Sequence, residues 1–386
     1  MAAKGFRLTV VISAKTIHGA IEHKVKSKAR TRFPSQNYAG PGLEPSQPRR
    51  GPCVQEQDSL FEPHPLIRGG QLQTLVAYMY PSAPRLERDQ LLTVPVTGGD
   101  ELILEINHPR PRVERAPIVY LLHGLGGSSA SAYKLRIATK LIEQGFQAVR
   151  HNHRGCAPEG AKAQGIYHSG SVDDVLSGLR ALAQTWPGRP IFIVGFSLSG
   201  TIMLNMLATR VSELAELPEV RAALSVCAPL DLHASSAALC RWTNRHYDIY
   251  YTKTLVKQLL ALGMIDQSFA QSQFKKQSLR QFDEVFTAPR GGFADLDDYY
   301  TRCSPVRVMA QIRLPTLILS AADDPIVPVN AVLSAPFSPT TTSLLQPSGG
   351  HIGFISRQPP AFKDRRWIDA FVVKWAQKQT QLARIL

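Results

Sequence analysis

Cysteine is scarce in this chain of 386 residues: there are five, at positions 53, 156, 227, 240 and 303, and none belongs to a C-x-x-C pair. An odd, scattered set of this kind does not make a disulfide scaffold. Cys227 lies inside the apolar run AALSVCAP and reads as a small buried side chain rather than a reactive thiol. Long hydrophobic runs are missing as well. No stretch reaches the ~18 apolar residues that a membrane-spanning helix requires, so no segment reads as crossing a bilayer. Acidic residues are nearly absent from the first 50 positions, which hold ten Lys/Arg and two Glu, whereas the rest of the chain holds 34 basic and 28 acidic residues. Most of the net charge of +14 therefore sits in an N-terminal tail, and the remainder of the chain reads as a mildly basic globule.

That tail, residues 1–58, ends in the Pro/Gly/Ser-rich stretch PSQNYAGPGLEPSQPRRGP and reads as a basic, disordered or targeting segment. Its early part, GFRLTVVISAKTIHGAIEHKVKSKAR, fits a transit peptide, an amphipathic surface-binding arm or an over-long start of the reading frame. The expected setting is cytoplasmic, with peripheral membrane contact through the tail and no nucleic-acid partner.

What is present is a pattern of short apolar runs separated by helical stretches. From about residue 90 the runs are LLTVPV, ELILEINHP, APIVYLLHG, GFQAVRHNHRG, RPIFIVGFS, VRAALSVCAP, LPTLILSAADDP and TTSLLQPSGGH. SAYKLRIATKLIEQ, VDDVLSGLRALAQTW and SGTIMLNMLATRV fall between them as helices. Alternation of this sort predicts an α/β fold over residues 59–386, a mostly parallel sheet with helices on both faces. Ligands then bind at the edge where the strands deliver their C-terminal ends. Residues 232–303 interrupt the alternation and hold 11 of the chain's 30 aromatics. This insertion reads equally as a lid over an apolar pocket and as additional core.

The chemistry is carried by VGFSLSG, residues 194–200, which departs from the G-x-S-x-G elbow only in having Ser199 at the second glycine. An elbow places its nucleophile on a sharp strand-to-helix turn, where small neighbours are required two residues either side. Gly195 and Ser199 are both small, and an apolar helix follows, so Ser197 is the candidate nucleophile; a helix-capping serine is the bland alternative. A nucleophilic hydroxyl needs a base, and the base needs an orienting acid. In this fold they arrive in the order Ser, Asp/Glu, His, each after a strand. Asp323 and Asp324 follow LPTLILSAA, and His351 lies in the glycine-rich loop after TSLLQ. Two backbone N–H groups are expected to hold a developing oxyanion, those of Leu198 and of Leu125 in the loop HGLGGSS. His123 in that loop is assigned a loop-ordering role.

The body resembles the YheT-like α/β-hydrolase family, to which the embryogenesis-associated hydrolases of plants and the medium-chain acyl ester esterases of yeast are similar. The matching blocks are PLIRGGQLQTL, HGLGGSS, NHRGC, YHSG, VGFSLSG, CAPLDL, FDEVFTAPRGGFADLDDYYTRCS, PTLILSAADDP and GGHIGF, spread over residues 61–386. The resemblance implies Ser197 as nucleophile, His351 as base and Asp324, just before Pro325, as the acid, with Asp323 as the fallback. Ser199 in place of glycine and Gln71 in place of a common histidine depart from the pattern, the latter expected to concern packing.

The implied activity is a serine hydrolase acting on short- or medium-chain carboxylic acyl esters through an acyl-serine, with no cofactor and no metal. Activity is expected to rise with pH and then level, because the base must be neutral. Alcohol acyl transfer by the same residues and a catalytically silent binding protein of the same fold are the alternatives. A metal site built on His151, His153 and Cys156 is a weaker rival, motivated by i, i+2 histidines on one strand face.

Overall fold

The computed structural model describes residues 60–80, 82–157, 163–359, 362 and 364–383; the tail of residues 1–58 lies outside them. Eight strands form one sheet: β1 Gln90–Pro95, β2 Glu101–Asn107, β3 Ile118–Leu122, β4 Gln147–Asn152, β5 Ile191–Phe196, β6 Val220–Val226, β7 Thr316–Ala321 and β8 Thr341–Gln346. Their order is β1-β2-β4-β3-β5-β6-β7-β8. β2 runs antiparallel to both β1 and β4, and every other pairing is parallel.

Side chains alternate across a strand, so one parallel strand feeds two cores. On one face Ile118, Tyr120 and Leu122 of β3 and Ile191 and Ile193 of β5 pack against helices α3 Val172–Thr185 and α4 Leu198–Thr209. On the other, Val119 and Leu121 with Phe192 and Val194 pack against α2 Ala132–Glu143 and the C-terminal helix Trp367–Ala383. Helix α1, Gly70–Met79, precedes the sheet. The parallel strands place the loops after β3, β5, β7 and β8 along one edge.

After β6 the chain leaves the sheet and builds a cap from short helices, Leu232–Leu239, Arg245–Ala261, Gln267–Gln273, Leu279–Phe282 and Leu296–Cys303, before returning as β7. Asp231 and Asp295 start two of these helices by accepting the N–H of Ala234 and Asp298 at 3.0 and 2.8 Å. The aromatics of this insertion are found in two settings, small cores and the wall of a cavity. Phe274, Phe282 and Phe286 make a small core with Leu255 and Leu259, and Tyr299 and Tyr300 make another with Leu232. Leu232, Leu255, Phe282, Tyr299 and Tyr300 also line a cavity that reaches Ser197.

Candidate active site

Ser197 sits between β5 and α4 with φ 50° and ψ −122°, a strained conformation for a side chain other than glycine. The turn is tight at two positions. A Cβ on Gly195 would lie 2.8 Å from the Ser199 carbonyl oxygen, and one on Gly200 would lie 2.6 Å from the Ala228 Cβ. Glycine is therefore demanded at 195 and 200, and the Ser199 side chain has its own buried place. Of the elbow's small positions, 199 is the one where a hydroxymethyl group fits.

The loops after β7 and β8 bring His351 and Asp324 to this turn. His351 Nε2 lies 2.9 Å from Ser197 Oγ, and its Nδ1 lies 2.9 Å from Asp324 Oδ2. A carboxylate only accepts, so Nδ1 carries the proton and Nε2 faces the serine as an acceptor. The other Asp324 oxygen accepts the N–H groups of Ile326 and Val327 at 2.8 and 2.9 Å, which sets the carboxylate's orientation. Asp323 turns elsewhere: its Oδ1 accepts the Gly350 N–H at 2.9 Å and so anchors the histidine loop. Burial pushes the Asp323 carboxyl above its ordinary range.

Helix α1 clamps the same loop from outside. The His351 N–H donates to Thr74 Oγ1 at 2.8 Å, and the Thr74 hydroxyl donates to the Gly70 carbonyl at 2.7 Å. Gln73, fully buried, accepts the Ile355 N–H at 2.6 Å and donates to the Ile67 and Ile355 carbonyls. In the sequence this block is a matching stretch without a task; in the fold it holds the loop that carries His351. Gln71 hydrogen-bonds Asn244 Oδ1 at 2.6 Å and accepts from the Tyr247 hydroxyl at 3.0 Å, so it joins α1 to the cap.

The loop after β3 crosses above the elbow, with Gly124 so close that a Cβ there would stand 3.1 Å from the Ser197 Cβ. Two tyrosine hydroxyls hold this loop: Tyr133 accepts the Gly124 N–H at 3.0 Å, and Tyr167 accepts the Gly126 N–H at 2.7 Å. The Leu125 N–H between them takes no acceptor among the described residues, nor does that of Leu198. Both tyrosines are functional candidates that their sequence context did not reveal.

His151 and His153 do share one face, but their rings bond each other and the hydroxyls of Tyr120 and Ser199. Cys156 is buried, accepts from Gln258 Nε2 at 3.1 Å, and burial pushes its thiol up to about 12. Among the described residues no group of three or more His, Cys, Asp or Glu is arranged to hold a metal ion. Likewise no described helix is long and apolar enough to cross a membrane.

Two cavities meet at Ser197. The narrower, about 90 Å³, runs under the cap between Leu232, Leu239, Leu255, Phe282 and Tyr299. The wider, about 750 Å³, opens past His351, Tyr133, Tyr250 and Tyr251 toward Tyr78 and Met79 of α1.

The sheet order and the strained serine turn at its C-terminal edge, with a histidine and an acid on two later loops, define an α/β-hydrolase. The family described as "Serine aminopeptidase, S33" matches residues 114–335. A protein named "Putative esterase YheT" from Escherichia coli is 31% identical over 305 residues, covering 76% of this chain and 87% of that one. "Phospholipase ABHD3" of Mus musculus is 30% identical over 62% of this chain, and "Monoacylglycerol lipase" of Saccharomyces cerevisiae is 30% identical over 65%. The chain spans 58% and 57% of the length of these last two. The chain belongs to the family described as serine aminopeptidase, S33, and to the YheT-like group of α/β-hydrolases.

Proposed function

We propose that the protein is a carboxylic ester hydrolase that works through an acyl-serine. The observation that carries this reading is the hydrogen-bonded series Ser197 Oγ, His351, Asp324 at a turn open to two cavities. The names of the relatives, esterase, phospholipase and lipase, support the ester class. Ser197 Oγ attacks the acyl carbon as its proton passes to His351 Nε2, and the imidazolium that forms is stabilised by Asp324. The carbonyl π pair moves onto oxygen, where the Leu125 and Leu198 N–H groups receive it. Collapse of this intermediate breaks the C–O bond, and the leaving alkoxide takes the proton from His351. Water then attacks the acyl-enzyme by the same route in reverse and releases the acid.

The shapes of the cavities support a division of the substrate: a short or medium apolar acyl chain in the narrow cavity under the cap, the alcohol part in the wider one. The wider cavity also leaves space for a second alcohol, which favours acyl transfer as a second reading. A series of p-nitrophenyl esters of increasing chain length, assayed with and without added ethanol, tests both. Turnover is expected at short and medium chains with free acid as the product; ethyl ester as the main product would favour transfer. Absence of turnover across the series would overturn the esterase reading in favour of a silent binding protein. We further take residues 59–386 as the hydrolase domain and residues 1–58 as an appendage available for membrane-surface contact.

A further inference from the structure

Acyl transfer through Ser197 leaves unused a second serine–histidine pair, buried behind the elbow. Ser199 Oγ lies 2.7 Å from His153 Nε2 and hydrogen-bonds the His123 carbonyl oxygen. His153 Nδ1 lies 3.0 Å from His151 Nε2, and His151 Nδ1 lies 2.7 Å from the Tyr120 hydroxyl. All these side chains are buried.

The donors along this chain are set by one fact. A carbonyl only accepts, so the single Ser199 proton is committed to His123, and Ser199 must accept from His153 Nε2–H. Burial and the nearby Lys134 charge hold His153 down to about 3, and burial holds His151 well below its ordinary value, so both rings are neutral. His153 Nδ1 then accepts from His151 Nε2–H, and His151 Nδ1 accepts from Tyr120. His123 is fixed as well: its Nδ1–H donates to the Gly124 carbonyl at 2.8 Å, and its Nε2 accepts the His153 backbone N–H at 3.3 Å. On the far side of the same loop, Tyr167 stacks on His153 with ring centroids 4.7 Å apart while its hydroxyl holds the Gly126 N–H.

We infer that Ser199 is a positioning residue: its hydroxyl ties the His123 carbonyl to the Tyr120–His151–His153 chain and so holds the Leu125 N–H in register with Ser197. With Tyr167 on the other flank, both sides of the Leu125 loop are anchored to the ring of His153. Glycine at 199, the residue the elbow pattern expects, would strand the His153 Nε2–H and the His123 carbonyl in the interior. The departure from the pattern therefore completes a buried network, and reverting it should harm the enzyme. This inference rests on the esterase reading, because it gives the Leu125 N–H its task.

The test compares wild type with Ser199→Gly and Ser199→Ala on the best ester, with a trifluoromethyl ketone as a probe that forms an oxyanion on Ser197. In both variants kcat is expected to fall ~10- to 100-fold, the order of loss caused by a small misplacement. KM should stay within about twofold, ketone affinity should fall by the same factor as kcat, and a fluorophosphonate adduct should still form. Tyr167→Phe, which removes the Gly126 acceptor, is expected to show the same split and serves if the Ser199 variants do not fold. Wild-type kcat in Ser199→Gly, or a kcat loss with unchanged ketone affinity, would overturn the inference alone. A wild-type protein with neither turnover nor adduct would overturn the esterase reading, and this inference with it.

Discussion

Two serine–histidine pairs stand two residues apart on the same turn and are built from the same groups to opposite ends. At the front, Ser197 meets His351 at 2.9 Å; at the back, Ser199 meets His153 at 2.7 Å. Behind the front histidine is a carboxylate, which can stabilise an imidazolium. Behind the back histidine is another neutral ring, and burial, with Lys134 nearby as the smaller cause, opposes protonation. The front serine lines both cavities, whereas the back one lines neither and has its proton committed to a carbonyl. On the proposed reading, a hydrogen-bonded serine and histidine do not by themselves make a nucleophile. An acid behind the base, room for an acyl carbon and a hydroxyl proton directed to the base are also needed.

Each of those differences can be attacked. The largest expected effect is from Ser197→Ala, which should lower kcat on the order of a million-fold, against a loss of only ~10- to 100-fold in Ser199→Ala; steady-state rates on one ester check the contrast. Next is the acid. Asp324→Asn keeps the shape but removes the charge that holds the His351 tautomer, and kcat should drop roughly 10⁴-fold, whereas Asp323→Asn, whose side chain bonds the backbone of the histidine loop rather than the His351 ring, should lose much less.

A smaller effect separates support from chemistry. A Cβ on Gly70 would lie 1.7 Å from the Asp323 carbonyl oxygen, so Gly70→Ala should force α1 off the loops that carry Asp324 and His351. Chemical unfolding should show a stability loss of at least ~2 kcal/mol, with kcat reduced in the protein that remains folded.

The smallest effect lies away from both pairs, on the wall of the narrow cavity. Asp283 accepts from the Tyr300 hydroxyl at 2.9 Å, and burial pushes its carboxyl up to about 6. The raised value means that the folded state holds this proton more tightly than the unfolded chain, so folding loses stability as pH rises from about 4 to about 6 and does not regain it above. Asp283→Asn should match wild type at pH ~4 and exceed it by at most ~3 kcal/mol above pH ~6, as read by urea unfolding at the two ends. A difference of the opposite sign would mean that the carboxylate is favourably solvated.

How much of this was legible in the sequence differs between the two pairs. Ser197, His351 and the aspartates could be named because each comes after an apolar run in an order that the fold imposes, and the runs themselves mark the strands. Periodicity carries no direction, so the antiparallel placement of β2 between β1 and β4 was not readable. Nor was the choice between Asp323 and Asp324 from spacing alone, since adjacent loop residues differ only in which way the chain turns them. The back pair was hidden for another reason. Ser199, His153 and His123 are 30 to 76 positions apart, and no local pattern joins them. Ser199 was legible only as a missing glycine, and the group that it serves became visible once the strands were in place.

The most direct test of the central claim is intact-mass analysis after fluorophosphonate treatment of wild type, Ser197→Ala and Ser199→Ala. A single adduct on wild type and on Ser199→Ala, absent from Ser197→Ala, is the result this account predicts. An adduct that survives Ser197→Ala and disappears in Ser199→Ala, or no adduct on folded wild-type protein, would contradict it.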